Sequence, residues 1–269
     1  MGGRQYMNLS IAYYLPFYAS WINTVLYTQE PTLLPDTLAT RTCGDLLEAF
    51  RIAQNDGVTY FICDVTLDEQ RMNDIITNAQ ANELKIVVRL GLIPSARILT
   101  LLSTSAVVRA VICVEHQVFE MVRDHPVAKK CAIITNGFAT CAYKELPPPM
   151  CNRNNAVVYL GSLVPQKGFG RLASVWPDIR SRVPGAHLHV IGSGQLYSRD
   201  RDLGKFGIAS ESFEAKWIRP FLCKEDGDID ESVTFHGALG EEKADILRTA
   251  RVGIANPVGH TETFCISAV

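Results

Sequence analysis

Three short stretches in the second half of the chain carry residue types suited to a phosphorylated ligand. Gly161-Ser-Leu-Val-Pro-Gln-Lys-Gly168 sets a cation, Lys167, among glycines, and Gly192-Ser-Gly194 is a small glycine turn. The third, Asn256 to Thr263, ends in Thr261-Glu262-Thr263, ahead of the breaker-free run Phe264 to Val269. Glycines let a ligand come close to the backbone, and an ammonium beside them suits phosphate charge. The third stretch reads as a polar turn followed by the start of a helix. A helix start leaves backbone N–H groups without intrahelical partners and carries partial positive charge, so it is a ready place for a phosphate. A carboxylate there, Glu262, can accept hydrogen bonds from sugar hydroxyls. None of these signals is specific alone. Gly192-Ser-Gly194 lacks the third glycine of the dinucleotide fingerprint, and no Walker-type G-K-[ST] is present.

The elements that must position these stretches alternate along the chain. Buried, strand-like runs are Val58–Cys63, Leu84–Leu90, Ala106–Val114, Lys130–Thr135, Ala156–Leu160, His187–Ile191, Ser232–His236 and Val252–Ala255, with a further one at Ile22–Thr28. Helical periodicity covers Cys43–Asn55, Leu67–Ala81, Pro94–Leu102, His116–Arg123, Phe169–Arg182 and Glu241–Ala250, and less clearly Ser210–Phe221. Pro177 inside Phe169–Arg182 predicts a kink or a break. Alternating buried strands and helices imply α/β architecture with parallel sheets covered on both faces. In such sheets ligands bind beyond the carboxyl ends of the strands, which is where all three glycine stretches fall. Pro147-Pro-Pro149 and the asparagines after it form the clearest linker. It divides the chain into residues 1–146, a linker at 147–154, and 155–269. The turn Gly2-Gly3 leads into a helix-like pattern, Arg4 to Tyr14, without a strand before it; the reading expects a first strand to be missing.

Bulk properties narrow the class. Of 269 residues, 47% are hydrophobic and 20% charged, and the net charge of −2 gives nucleic acid nothing to bind. The most apolar stretch, Ile11 to Ile22, is interrupted by Pro16 and falls short of the roughly 20 residues that span a bilayer. Eight cysteines are scattered without a C-x-x-C pair, several inside strand-like runs. They read as buried free thiols of a reducing compartment, the cytoplasm, rather than as metal ligands or disulfides. Of the histidines, His260 lies near the glycine stretches, His236 ends a strand, and His116 and His125 flank a surface helix. Trp176 and Trp217 read as core. Asp64, ending a strand of the first half, stands where a group facing a second substrate would sit.

Together the motifs carry a resemblance. Val158-Tyr-Leu-Gly-Ser-Leu-Val-Pro-Gln-Lys-Gly-Phe169, Val190-Ile-Gly-Ser-Gly194, Val233-Thr-Phe-His-Gly237 and Ala255-Asn-Pro with Thr261-Glu-Thr-Phe264 resemble, in order and spacing, the donor domain of retaining glycosyltransferases of family four. In the first half, Gly2-Gly3 resembles that family's glycine-rich acceptor-domain loop, and Ile133-Ile-Thr-Asn-Gly-Phe138 the segment that closes the domain. The resemblance implies a GT-B fold: two Rossmann-like domains facing across a cleft, here cut at both ends. It implies that Lys167 contacts the donor diphosphate and that Glu262 faces the transferred sugar. It implies that Phe264, Cys265 and Ile266 hold the diphosphate through backbone N–H groups, with Thr261 and Thr263 beside them. Gly161, Ser162, Gly192 and Gly194 would line the nucleotide. Ser162 stands where the family commonly has Arg, Arg89-Leu90-Gly91 where it often has a histidine, and its second Glu would fall directly after Val269.

The expected function is transfer of a hexose from a UDP- or GDP-linked donor to a sugar, glycan or lipid-linked acceptor, with retained configuration. Lys167 and Glu262 are the expected catalytic pair, without cofactor or metal. The expected location is cytoplasmic, with the inner face of a membrane compatible with it. The alternatives are a non-catalytic nucleotide-sugar-binding relative and an NAD-type dehydrogenase with two Rossmann-like halves.

Overall fold

The architecture is that of a computed structural model, which describes residues 11–16, 19–20, 22–28, 38–137, 154–195 and 202–256. The chain divides into two compact units. Of the described residues, those up to Gly137 belong to one and those from Asn154 onward to the other. The linker expected at 147–154 lies, Asn154 apart, outside the described residues, as do Gly2 and Gly3.

In the first unit, strands β1 (Leu26–Thr28) and β2 (Thr40–Thr42) form a parallel pair. Then β3 (Tyr60–Asp64), β4 (Lys85–Leu90), β5 (Val108–Cys113) and β6 (Cys131–Ile133) make a parallel sheet in the order of the chain. Helices α1 (Leu46–Asn55), α2 (Glu69–Ala81), α3 (Ala96–Thr104) and α4 (His116–Val122) alternate with them. Each of the first three starts where a side chain caps it. Asp45 accepts from the Glu48 N–H at 2.8 Å, Asp68 from Arg71 at 2.8 Å, and Ser95 from Ile98 at 3.4 Å. An oxygen at this position satisfies one of the orphan donors of the first turn. Phe50 of α1 is fully buried and meets Phe61 of β3 edge to face, ring centres 4.7 Å apart.

The second unit holds β7 (Ala156–Leu160), β8 (His187–Ile191), β9 (Val233–Gly237) and β10 (Val252–Ile254) in a parallel sheet of order β10-β7-β8-β9. Helix α5 (Phe169–Arg182) and the helical segment 211–222 share one core with this sheet. Alternation along each strand decides the faces. Tyr159, Leu188 and Val190 join Phe169, Leu172, Ala173 and Trp176 of α5. Val158 and Ile191 meet Ile246 and Leu247 of α6 (Lys243–Thr249). Trp176 also donates from its indole N–H to Ser232 Oγ at 3.0 Å. Helix α5 runs through Pro177 without a break. A proline inside a helix costs about 3 kcal/mol. The buried Phe169, Leu172 and Trp176 of α5 offset it, because each large apolar side chain taken from water returns about 1.5–3 kcal/mol.

On the side of β8 away from α5, His187 and His189 point the same way, and His236 of β9 joins them. His189 Nδ1 lies 3.0 Å from His236 Nε2, and His187 Nε2 lies 2.8 Å from Thr234 Oγ1. The His187 and His189 rings are 4.6 Å apart. Burial first, then the neighbouring imidazoles, hold His189 down at about 4, and burial with His187 lowers His236. A histidine whose folded value lies below its unfolded one takes up protons on unfolding, so stability is full above the unfolded value of about 6.5 and is lost as pH falls towards 4. Thermal unfolding between pH 7.5 and 4.5 should therefore show a midpoint that drops below pH 6.5, and His189→Gln should flatten that slope.

Candidate functional site

The strand order brings two of the glycine stretches together, those after β7 and β8. Because β7 has β8 on one side and β10 on the other, the carboxyl ends of these three parallel strands are neighbours. The chain passes from β7 to β8 on one side and returns to dock β10 on the other. The carboxyl ends of β7 and β10 thus form a topological switch point, the usual binding crevice of an open parallel sheet.

The loop after β7 is held from beneath. Tyr159, fully buried, donates from its hydroxyl to the backbone oxygens of Lys167 at 3.0 Å and Ser162 at 3.3 Å. Pro165–Lys167 is a single 3-10 turn, and Gly168 at φ 71° swings the chain directly into α5. Lys167, half-buried, therefore sits one residue before the amino end of a helix, where phosphate charge is favoured. Asn256 Nδ2 donates to the Gln166 oxygen at 3.4 Å, which fastens the beginning of the post-β10 loop to the same turn.

The loop after β8 is fastened to the loop after β7 by three contacts. Ser162 Oγ donates to the Ser193 oxygen at 3.3 Å, the Leu163 N–H to that same oxygen at 3.2 Å, and the Gly161 N–H to the Ile191 oxygen at 3.0 Å. Ser162 is 4% exposed, so its hydroxyl works inside the protein. Gly192 has φ 145° and donates to the Gly237 oxygen at 2.7 Å; a Cβ on it would stand 1.8 Å from the Gly161 oxygen. Gly194 donates to the Ile208 oxygen at 3.0 Å, and a Cβ there would stand 2.7 Å from the Ala209 Cα. The protein's own backbone thus demands both glycines before any ligand does.

Of the expected site residues, Gly161, Ser162, Lys167, Gly192 and Gly194 are brought together in this way. Thr261, Glu262, Thr263, Phe264, Cys265, Ile266 and the neighbouring His260 lie outside the described residues.

In the first unit, Asp64 ends β3 and Arg89 lies beside it in β4. Arg89 Nε donates to Asp64 Oδ1 at 2.7 Å, with the Arg89 side chain 4% exposed and that of Asp64 22%. The position where the resemblance looks for a histidine thus holds a buried cation tied to the carboxylate that the sequence had singled out alone. Sequence reasoning missed this pair, the histidine cluster, and Glu214, a fully buried carboxylate. The signal for Glu214 was available: an acid among Phe213, Ile218 and Leu222, at a position that helical spacing assigns to the core.

Cys43, Cys63, Cys113, Cys131 and Cys223 are free thiols, the first three buried. Burial raises the Cys63 thiol to about 12. Among the described residues no cluster of three or more His, Cys, Asp or Glu is arranged to hold a metal ion, and no helix is long and apolar enough to cross a membrane.

No protein-family model and no curated protein matches the chain. Solved structures do match, and they define the class: an α/β fold of GT-B glycosyltransferase type, built on parallel sheets. A glycosyltransferase from Rickettsia africae ESF-5 is similar with a TM-score of 0.67 at 11% identity, over 94% of this chain and 69% of that one. Anabaena Alr3699/HepE, solved in complex with UDP-glucose, gives a TM-score of 0.63 at 15% identity, over 92% and 69%. The lipopolysaccharide outer core galactosyltransferase WaaB gives 0.53 at 11%, over 95% and 70%. At such identities the likeness is one of fold.

Two substitutions test the geometry. Gly192→Ala should cost about 2–4 kcal/mol in chemical denaturation, because the backbone can shed neither the contact with Gly161 nor its φ cheaply. Arg89→Met should cost about 3 kcal/mol by taking the buried cation away from Asp64, with part recovered when Asp64→Asn is added.

Proposed function

We propose that the chain belongs to a glycosyltransferase that moves a hexose from a nucleotide diphosphate sugar to an acceptor hydroxyl, with retention of configuration. The observation that carries this reading is the switch point of the second unit. There a lysine, a helix amino end and two backbone-only turns converge at the carboxyl edge of a parallel sheet. The fold shared with HepE, whose structure holds UDP-glucose, supports it.

In this reading the diphosphate leaves with growing negative charge, and Lys167 with the start of α5 stabilises it as the glycosidic bond breaks. Glu262 orients the sugar, and the N–H groups of Phe264, Cys265 and Ile266 complete the diphosphate cradle, flanked by Thr261 and Thr263. Gly161, Ser162, Gly192 and Gly194 shape the nucleotide side. The chemistry needs no metal, since the leaving charge has a fixed cation and helix dipoles. The acceptor, a sugar, glycan or lipid-linked sugar, is set by the first unit. Free thiols fit a reducing cytoplasm, and an acceptor carried by lipid would bring the protein to the inner face of the membrane.

One observation favours a non-catalytic nucleotide-sugar binder: position 162 holds a neutral serine, so it supplies no cation to a diphosphate, and its hydroxyl is donated to the Ser193 oxygen. Donor hydrolysis or transfer separates the two readings, because a binder shows neither. Calorimetry with UDP, GDP, ADP and NAD tests both at once. A UDP or GDP isotherm is expected, and binding of NAD alone would overturn the assignment. Lys167→Ala should weaken UDP binding about 10–100-fold, the worth of one charge-assisted hydrogen bond. Unchanged affinity would remove Lys167 from the site.

A further inference from the structure

A carboxylate with no exposure is expensive unless its oxygens are satisfied. Glu214 meets that condition with three backbone donors from a single loop. Its Oε1 accepts from Ile208 at 2.9 Å and Ala209 at 3.1 Å, and its Oε2 from Phe206 at 3.0 Å. The loop wraps tightly over it: a Cβ on Gly204 would stand 2.4 Å from Glu214 Oε2. This loop is the one that grips the turn after β8. Gly194 donates to the Ile208 oxygen, and the Ala209 Cα occupies the space beside Gly194. Glu214 is thus linked through the backbone of residues 206–209 to Gly194.

The same helical segment reaches the other side of the site. Glu214–Ile218 is a single π-helical turn, a wider winding that recurs at functional positions. From it Trp217 lies across the first turn of α5, where a Cβ on Gly170 would stand 2.4 Å from the indole ring. Phe213 stacks on Phe169 with ring centres 6.3 Å apart. Phe169 and Gly170 follow directly on Lys167 and Gly168. One short segment therefore braces both the start of α5 and the Gly192–Gly194 turn.

We propose that Glu214 is a positioning residue for the nucleotide side of the donor site, holding Gly192–Gly194 at a fixed distance from Lys167 and the start of α5 through the 206–209 backbone. The proposal rests on the nucleotide-sugar reading given above. Glu214 touches no ligand in it; the residue acts through Ile208 and Ala209.

Glu214→Ala strips all three N–H groups of their acceptor, whereas Glu214→Gln keeps the shape and one oxygen. Trp176→Phe, which loses the bond to Ser232 and part of a buried ring, serves as a destabilised control in the same core. UDP affinity by calorimetry and amide exchange by mass spectrometry are measured on the intact chain, well below each midpoint. Glu214→Ala is expected to weaken UDP on the order of tenfold. Faster exchange should be confined to 192–195 and 204–209, with Glu214→Gln intermediate. Trp176→Phe should lower the midpoint with UDP affinity unchanged. The proposal is overturned if Glu214→Ala binds UDP as the parent does, or if its exchange rises evenly through the unit as in Trp176→Phe. Should Glu214→Ala not fold, Glu214→Gln decides by the same two readouts. If the parent chain itself does not bind UDP, the functional reading falls and takes the ligand half of the proposal with it, while the exchange pattern still decides whether Glu214 holds the turn.

Discussion

The second unit depends on how closely its backbone meets itself at the end of β8. Gly192 leaves no room for a side chain against the Gly161 oxygen, and its N–H reaches the Gly237 oxygen at 2.7 Å. Three adjacent strands, β7, β8 and β9, thus end in glycine along one rim. The register shift between β8 and β9, which pairs Ile191 with Gly237, belongs to the same arrangement. This rim is bare backbone, buried at Gly192 and Gly194 and half-buried at Gly161 and Gly237. Its own N–H groups are spent on neighbouring carbonyls, so what such a rim allows is close approach without a side chain in the way.

Rigidity of that rim comes from polar groups that are buried yet satisfied. Tyr159 supports the loop after β7, Ser162 joins it to the loop after β8, and Glu214 braces the loop beyond. Each carries a desolvation cost that an apolar residue would avoid. All three bond to loops that gather at the carboxyl ends of strands, where fixed geometry matters to binding. The apolar core beneath, from Leu188 to Trp176, supplies stability with no such specialisation.

Much of this was legible in the sequence. Ala156–Leu160, Phe169–Arg182 and His187–Ile191 were read to the residue, because Gly161, Gly168, Pro184 and Gly192 punctuate them. The convergence of Lys167 with two glycine turns followed from parallel topology. Strand β2 was missed because Thr40-Arg-Thr42 is polar throughout and shows no alternation; only its partner β1 makes it a strand. Of the kink or break that Pro177 predicted, the break does not occur, because burial of the helix face holds α5 together. Side chains that answer one another over long separations, such as Asp64 with Arg89 and His189 with His236, leave no periodic trace, so sequence pattern could not pair them.

The order β10-β7-β8-β9 also governs when the site can exist. Strand β7 is the first of the four to leave the ribosome and β10 the last, yet they are direct neighbours. A nascent unit can assemble β7, β8 and β9 with α5 while one edge of its central strand still waits. Contacts that close so long a loop are slow and form late. During synthesis the open side of β7 is an unpaired strand edge, the kind of surface that invites wrong partners. The turn bearing Lys167 can therefore form before β10 docks beside β7.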